Sequence, residues 1–388
     1  MRGQINSMSS GDATLTELIR EEIRRNGPIS FVRFMQYALY HPDHGFYASG
    51  RARLGRAGDY FTNVSVGPAF GQLLALQFAE AWKILGEPKD FVIVEQGAHE
   101  GEFARDVLNS LSSEHAGLFG ALRYRIVEPS EVLRQRQVEA LGAYGDKVEW
   151  VQSLESMKPF DGVHFSNELI DAFPVHLIER AESPPRWVER RIGLDRSDLA
   201  FVAQEVTDAD LPARLKRLPA RDRSYRTEVN LEALRWIREM SSKLRRGFVI
   251  TVDYGLSREN YYSENRTSGT MRVRRDHRLF DSPLTAVGES DLTSHVDWTS
   301  LIEEAERAGF ALQGLVDQHH FLTGILAEYF DFLGKASAKI RRELQTLLHP
   351  EMLGRSFQVL VLGRKIPLSS RLSGLRFRQR TGATTSPE

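Results

Sequence analysis

Cysteine is absent from all 388 residues. That excludes disulfides, a thiol nucleophile and thiolate zinc sites, and it leaves the redox compartment open. A dominant charge is missing too. The 51 basic and 52 acidic side chains leave −1, so no global field favours nucleic acid or an anionic membrane. No apolar run approaches the length that spans a bilayer. The opening MRGQINSMSSGD carries no apolar signal core. No internal repeat is visible. What remains is a chain long enough for one large α/β domain with insertions, or for two smaller domains with full cores. A cytoplasmic enzyme is the default expectation.

The stretch 91–106, FVIVEQGAHEGEFARD, organises the rest. Phe91, Val92, Ile93 and Val94 form a short apolar run, the pattern of a buried parallel strand. Gly97 to Gly101 make a small-residue turn, and Phe103, Val107 and Leu108 continue at helical spacing. Strand, turn and helix place backbone N–H groups at a helix start beside the carboxyl end of a strand, where open α/β sheets bind ligands. The spacing is G-x-x-x-G, not the G-x-G-x-x-G of a dinucleotide turn, which argues against a nicotinamide oxidoreductase. Glu95 stands two positions before Gly97. That placement is typical of S-adenosylmethionine (SAM) sites, where a carboxylate faces the positive methionine end. The bland alternative is a glycine turn that only lets strand and helix pack closely.

Thr14-Leu15-Thr16-Glu17 reads as a capping box before a helix that Asn26-Gly27-Pro28 ends. Ser30 caps a second helix through Tyr40. The segment 38–47, ALYHPDHGFY, is a packed loop or part of a lid. His41 and His44 lack a third ligand nearby, so no metal is expected. A long helix follows Gly67-Pro68. Strands are expected at 124–127, 148–151, 162–166, 247–252, 311–317 and 357–362. Glu128 follows the strand at 124–127, the second of the core after 91–94, where an acid grips a nucleoside ribose by its two hydroxyls. Ser153-Leu154 lies where an adenine would rest. The fourth strand runs into Asn167-Glu168-Leu169-Ile170-Asp171. There two carboxylates and an amide emerge beside the predicted cofactor site. Asn167 and Asp171 also suit the capping of a helix, which leaves Glu168 unexplained.

The expected organisation is an N-terminal helical and lid extension at 13–60 and a core at 61–178 and 244–364. Insertions are expected at 179–243 and 256–297, and a disordered tail at 367–388. The basic run at 211–226 reads as a solvated face, because no aromatic platform for nucleic acid accompanies it.

Taken in order, GDYFT, the E-x-G-x-x-x-G turn, NELIDAFPV, VDYG, GTMR and GESDLTSHVDW give a chain that resembles the MidA-type SAM-dependent methyltransferases. Mitochondrial members of that family assist respiratory complex I assembly. The resemblance covers roughly residues 14–364. It implies a class I methyltransferase fold: α/β, with a Rossmann-like, seven-stranded, mostly parallel sheet, helices on both faces, an N-terminal extension and inserts. It implies SAM as cofactor and arginine in a protein as the methyl acceptor; from the balanced charge and the lack of a spanning run, no membrane or nucleic-acid partner is expected. Carried onto this sequence, it implies cofactor contacts from Glu95, Gly97, Gly101, Glu128, Leu154, Asn167, Gly58, Asp59 and Thr62. The implied catalytic residues are Glu168, Asp171 and Asn167. Glu168 would hold the guanidinium bidentately, with Asp171 behind it. Asp253, Tyr254, Gly255, Gly269, Thr270, His277, Asp291, Thr293, His295 and Asp297 match later motifs without assigned roles. Two positions depart from the family pattern. His99 stands where glycine is usual, and Ser65 where glutamate is usual. A non-catalytic binding or assembly module on the same fold is the alternative these departures suggest.

Overall fold

The computed structural model describes residues 11–50, 52, 62–182, 185–218, 225–276, 278–367 and 370–378. In chain order, β1 (Phe91–Gln96), β2 (Leu122–Val127), β3 (Val148–Val151) and β4 (Phe160–Asn167) come first. They are followed by β5 (His176–Glu182), β6 (Pro185–Asp195), β7 (Asp198–Gln204) and β8 (Tyr225–Val229). Then come β9 (Leu244–Asp253), β10 (Gly255–Leu256), β11 (Arg272–Arg275), β12 (Arg278–Phe280), β13 (Asp291–Thr293) and β14 (Val296–Asp297). The last two are β15 (Ala311–Asp317) and β16 (Gln358–Arg364).

Seven strands form the central sheet in the order β15-β16-β9-β4-β1-β2-β3. β9, β4, β1, β2 and β3 run parallel, while β16 is antiparallel to both its neighbours. The chain moves outward from β1 to β3, then returns to place β4 on the other side of β1. A topological switch point therefore lies between the carboxyl ends of β1 and β4, where such sheets bind ligands. Strand periodicity sorts the core: Ile93 and Phe165 face one apolar layer, while Val92 and Val94 face the other. Helices Ala69–Ile84 and Glu102–Glu114 cover the first layer, with the Phe103 and Phe165 rings stacked at 4.3 Å. Helices Leu231–Lys243 and Trp298–Arg307 cover the second. Glycine fixes the register at the start of the central strands. Val92 pairs with Gly162 and Gly162 with Gly247. A Cβ at either glycine would lie within 1.9 Å of a neighbouring carbonyl oxygen.

Several expectations are corrected. Asp12, not Thr14, caps the first helix, Ala13–Asn26, by accepting the Leu15 N–H at 2.9 Å. Helix Leu231–Lys243, expected inside the first insertion, is the crossover from β4 to β9. Its Ile237 and Met240 are fully buried against the central sheet. The described remainder of that insertion forms a four-stranded antiparallel sheet, β7-β6-β5-β8, beginning at His176, with a short helix, Leu211–Leu215, between β7 and β8. The second insertion supplies a three-stranded sheet, β12-β11-β13. Val273 and Leu292 from that sheet and Ile192 from β6 pack with the N-terminal helices through Leu15, Ile19, Phe31 and Phe34. The tail is ordered over 370–378: Leu372 and Leu375 are buried, and the Ser373 N–H donates to Glu80 at 2.7 Å. Residues 379–388 lie outside the described residues. In the basic run, Lys216, Arg217 and Arg226 are exposed, as a solvated face requires, while Arg214 and Arg217 also pair with Glu304 and Glu303, each at 2.7 Å. Among the described residues, no helix is long and apolar enough to cross a membrane.

Candidate active site

At the switch point lies a cleft of about 750 Å³, including its open mouth. One wall is the turn after β1. Gly97, His99 and Gly101 all adopt left-handed backbone, with φ of 82°, 46° and 86°. Two glycines meet that demand freely. Histidine meets it at some cost, and it is among the side chains that tolerate the region best. His99 is held there by two contacts: its Nε2 lies 3.2 Å from the Ala52 carbonyl, and its own carbonyl accepts from Gln137 at 2.7 Å. Glu95, at the end of β1, lines the cleft and accepts from the Tyr124 hydroxyl at 2.7 Å. Burial pushes its carboxyl up to about 8.

The opposite wall grows out of β4. The Asn167 Oδ1 accepts from Asn63 at 2.9 Å, and its Nδ2 donates to Glu168 Oε1 at 2.9 Å. Glu168 is itself left-handed, at φ 52°, a strained conformation of the kind that gathers at functional sites. Desolvation in the cleft wall pushes its carboxyl up to about 8. No helix starts here, contrary to the capping expectation. Instead Asp253 at the end of β9, fully buried, accepts the N–H groups of Ile170 at 2.8 Å and Asp171 at 3.2 Å. Its other oxygen takes the Tyr254 N–H at 2.8 Å. That carboxylate fixes the 168–171 loop. Asp171 is buried with Oδ1 unpartnered. Burial, and then the neighbouring Asp253 and Glu168, push its carboxyl well above the usual range.

The third wall comes from the second insertion. Buried Glu228 of β8 accepts the Thr270 N–H at 2.9 Å, the Met271 N–H at 3.2 Å and the Tyr261 hydroxyl at 3.2 Å. Gly269, at φ 78°, leaves room for that carboxylate, because a Cβ there would lie 2.0 Å from Glu228 Oε1. Thr270 Oγ1 in turn accepts the His295 N–H at 3.0 Å, and the Ser294 N–H donates to the Asp171 carbonyl at 2.9 Å. The motif of unassigned role is thus a brace that brings Asp291, Thr293 and Arg274 to the cleft. Tyr47, from the N-terminal extension, donates its hydroxyl to Asp291. Asp297 caps helix Trp298–Arg307.

Six of the expected site residues line the cleft: Glu95, Gly97, Thr62, Asn167, Glu168 and Asp171. Three do not. Gly101 turns toward the helix Glu131–Leu141, where a Cβ would meet Leu141 at 3.4 Å. Glu128 sits behind Ser130 and Gln137, which donate to it at 2.8 and 3.0 Å. Burial pushes its carboxyl up to about 7. Leu154 is packed in the second apolar layer. Gly58, Asp59 and His277 lie outside the described residues. Ser65 does not extend into a clamp. Its hydroxyl accepts the Thr62 N–H at 2.9 Å, and its own N–H donates to Thr62 Oγ1 at 3.2 Å. That reciprocal pair closes the turn presenting Thr62 and Asn63. Tyr47 and Arg274 were missed as lining residues, although Arg274 belongs to a stretch whose motif gave a signal. Asn63 carried none.

Among the described residues, five carboxylates line the cleft, those of Glu95, Glu102, Glu168, Asp171 and Asp291, against one arginine, Arg274, and no lysine. Such a lining favours cations. SAM carries two, a sulfonium and an α-amino group. The buried, unpartnered Glu102 Oε2, His99 Nδ1 and Asp171 Oδ1 are the kind of orphaned polar atom that a ligand satisfies. The residues present therefore fit the cofactor.

Comparison with known proteins agrees. A crystal structure of a COG1565 superfamily member from Burkholderia thailandensis, bound to S-adenosyl-homocysteine, is 30% identical, with a TM-score of 0.83 over 95% of this chain and 96% of that one. "Protein arginine methyltransferase NDUFAF7 homolog, mitochondrial" from Drosophila melanogaster is 27% identical, covering 91% of this chain and 85% of that protein. The Homo sapiens "Protein arginine methyltransferase NDUFAF7, mitochondrial" is also 27% identical, covering 94% and 86%. These mitochondrial names lend no support to the cytoplasmic expectation. The model of the family Methyltransf_28 matches residues 73–316. With the sheet order, the switch-point cleft and this match together, the chain belongs to the Methyltransf_28 family of S-adenosyl-L-methionine-dependent methyltransferases.

Proposed function

We propose that the acceptor is an arginine side chain of a protein. The observation that carries this reading is the convergence of Glu168, Asp171 and Asp291 on one cleft, close enough to act on one another's charge. Three carboxylates there suit a planar cation better than a neutral acceptor. The names of the curated relatives point the same way. In this reading Glu95 faces the methionine end of the cofactor, and Glu128, set back from the cleft beside Ser130 and Gln137, offers the ribose the lone pairs that those two donors leave free. Glu168 grips the guanidinium, with Asp171 behind it and Asn167 fixing the Glu168 rotamer.

When bound, SAM supplies a methyl group already activated by its sulfonium. The chain's own task is therefore placement. Ionised Glu168 accepts two N–H bonds and holds one guanidinium nitrogen toward the β1 turn. That nitrogen must shed one proton as it gains carbon, so that the product keeps a single positive charge. Glu168, raised to about 8 by burial, is suited to take that proton near neutral pH. Asp253 keeps the loop under it in place. For a eukaryotic chain, the relatives' names support a mitochondrial location over the cytoplasm.

Glu168→Gln tests the assignment. SAM affinity should change little, while methyl transfer to protein arginine should fall on the order of 10²-fold or more, as when an electrostatic positioning group is lost. Thermal midpoint, SAM affinity and turnover are measured on one preparation, with the methylated residue read by mass spectrometry. A lowered midpoint with wild-type specific activity would end the case for Glu168. SAM binding with no transfer by the wild-type protein to any extract protein would favour the binding-module alternative.

A further inference from the structure

Gln137 lies on the helix Glu131–Leu141 and its side chain is completely buried. It does not line the cleft, yet every part of its amide is engaged. Nε2 donates one hydrogen to the His99 carbonyl at 2.7 Å and the other to Glu128 Oε2 at 3.0 Å. Oε1 accepts from Trp150 Nε1 at 3.0 Å. An amide has two such hydrogens; one is spent on the turn after β1 and the other on the acid that sequence reasoning assigned to the ribose. His99 belongs to the turn after β1. Glu128 follows β2, and Trp150 belongs to β3. One side chain therefore ties the carboxyl ends of three adjacent strands. It also holds a carbonyl whose residue is left-handed without being glycine. The remaining Glu128 oxygen takes the Ser130 N–H at 2.8 Å, so Gln137 is the side-chain partner that sets the direction of that carboxylate. No other residue type does this without loss. Glutamate lacks the hydrogens, asparagine lacks the reach, and methionine lacks both donors and acceptor.

We propose that Gln137 is a positioning residue that locks the ribose-gripping Glu128 to the cofactor turn at His99, so that the ribose and methionine halves of SAM are recognised as one unit. This rests on the reading of Glu128 as the ribose acid. Breaking the lock leaves both halves of the site present but lets Glu128 rotate away from the two hydroxyls. Affinity for the ribose is then lost without removal of any group that touches the cofactor.

The experiment measures binding only, so it does not depend on arginine as acceptor. Calorimetric dissociation constants are taken for SAM and for its analogue lacking both ribose hydroxyls. The proteins are wild type, Gln137→Met, Glu128→Gln and the double variant, each with its thermal midpoint. The wild type should prefer SAM over the analogue, and Gln137→Met should lose about tenfold of that preference, the low end for a hydrogen bond to a charged group. The double variant should lose no more than Glu128→Gln alone, because two groups acting as one unit are not additive. If Glu128→Gln loses the preference while Gln137→Met keeps it, with or without a lowered midpoint, Gln137 is only structural and the proposal is overturned. If Glu128→Gln keeps the preference, the ribose reading itself fails and the proposal falls with it. Should Gln137→Met not fold, Trp150→Phe removes only the N–H that anchors the amide. It should lose part of the same preference, and an unchanged preference there overturns the proposal equally.

Discussion

Gly101 shows what a glycine in a motif can and cannot tell. From spacing, Gly101 belongs to the cofactor turn, and a larger side chain there should block the ligand without unfolding the chain. The structure separates the two glycines. Gly97 lines the cleft, whereas Gly101, at φ 86°, faces Leu141 and Gln137. Gly101→Val should therefore act through stability, costing about 1–3 kcal/mol for a branched residue in left-handed backbone. Any loss of SAM affinity should follow the loss of folded protein. Chemical denaturation beside calorimetry on the folded fraction checks this, and a fully stable variant that cannot bind SAM would restore the cofactor-contact reading. At this scale the sequence reveals residue type and spacing, enough to place Glu95, Asn167 and Glu168. It does not reveal which way a side chain turns. Asp253 was legible as an acid after a strand, but not as the acceptor for two N–H groups 82 and 83 residues earlier in the chain.

Strands of the central sheet were legible because each is a short, β-branched apolar run buried on both faces. The crossover helix Leu231–Lys243 was harder. It follows a four-stranded excursion, and local pattern does not say on which surface an amphipathic helix packs. The brace around Glu228 was invisible for a related reason: its parts come from β8 and the loop before β11. Its strength is testable at Gly269. Gly269→Ala puts a methyl 2.0 Å from Glu228 Oε1 at a residue with φ 78°. A cost of about 1–3 kcal/mol is expected for strain plus a displaced buried carboxylate. Because β11 and β13 hang from that brace, turnover per folded molecule should fall as well. SAM affinity, set by the β1 turn, should hold. Equal losses in both would mean that the brace supports the whole cleft rather than one wall.

The whole molecule carries an unusual titration. Burial pushes Glu95 and Glu168 up to about 8 and Glu128 and Asp253 up to about 7, from ordinary values of 4.5 for glutamate and 3.8 for aspartate. A carboxyl with a raised pKa binds its proton more tightly folded than unfolded. Between the two values the native state holds more protons, so stability falls as pH rises. The unliganded thermal midpoint should therefore decline from about pH 5 to about pH 8. A sulfonium and an α-amino group favour the ionised carboxylates, so SAM should flatten that decline and release protons on binding. Calorimetry in two buffers of different ionisation enthalpy reads the release. A pH-independent midpoint in the unliganded protein would contradict the buried-acid account.

The position of β16 has a consequence in time rather than in space. Among the described residues this strand comes last in chain order, yet it does not sit at the sheet's edge. It lies between β9 and β15 and supplies partners to both. During synthesis the chain emerges from its amino end, so β9, whose Asp253 shapes the loop under Glu168, waits with one edge open until residues 358–364 arrive. An open edge of this kind invites pairing with other chains. β9 gains its second neighbour only after residue 364 has left the ribosome, which makes the interval before that moment the one in which this edge is vulnerable.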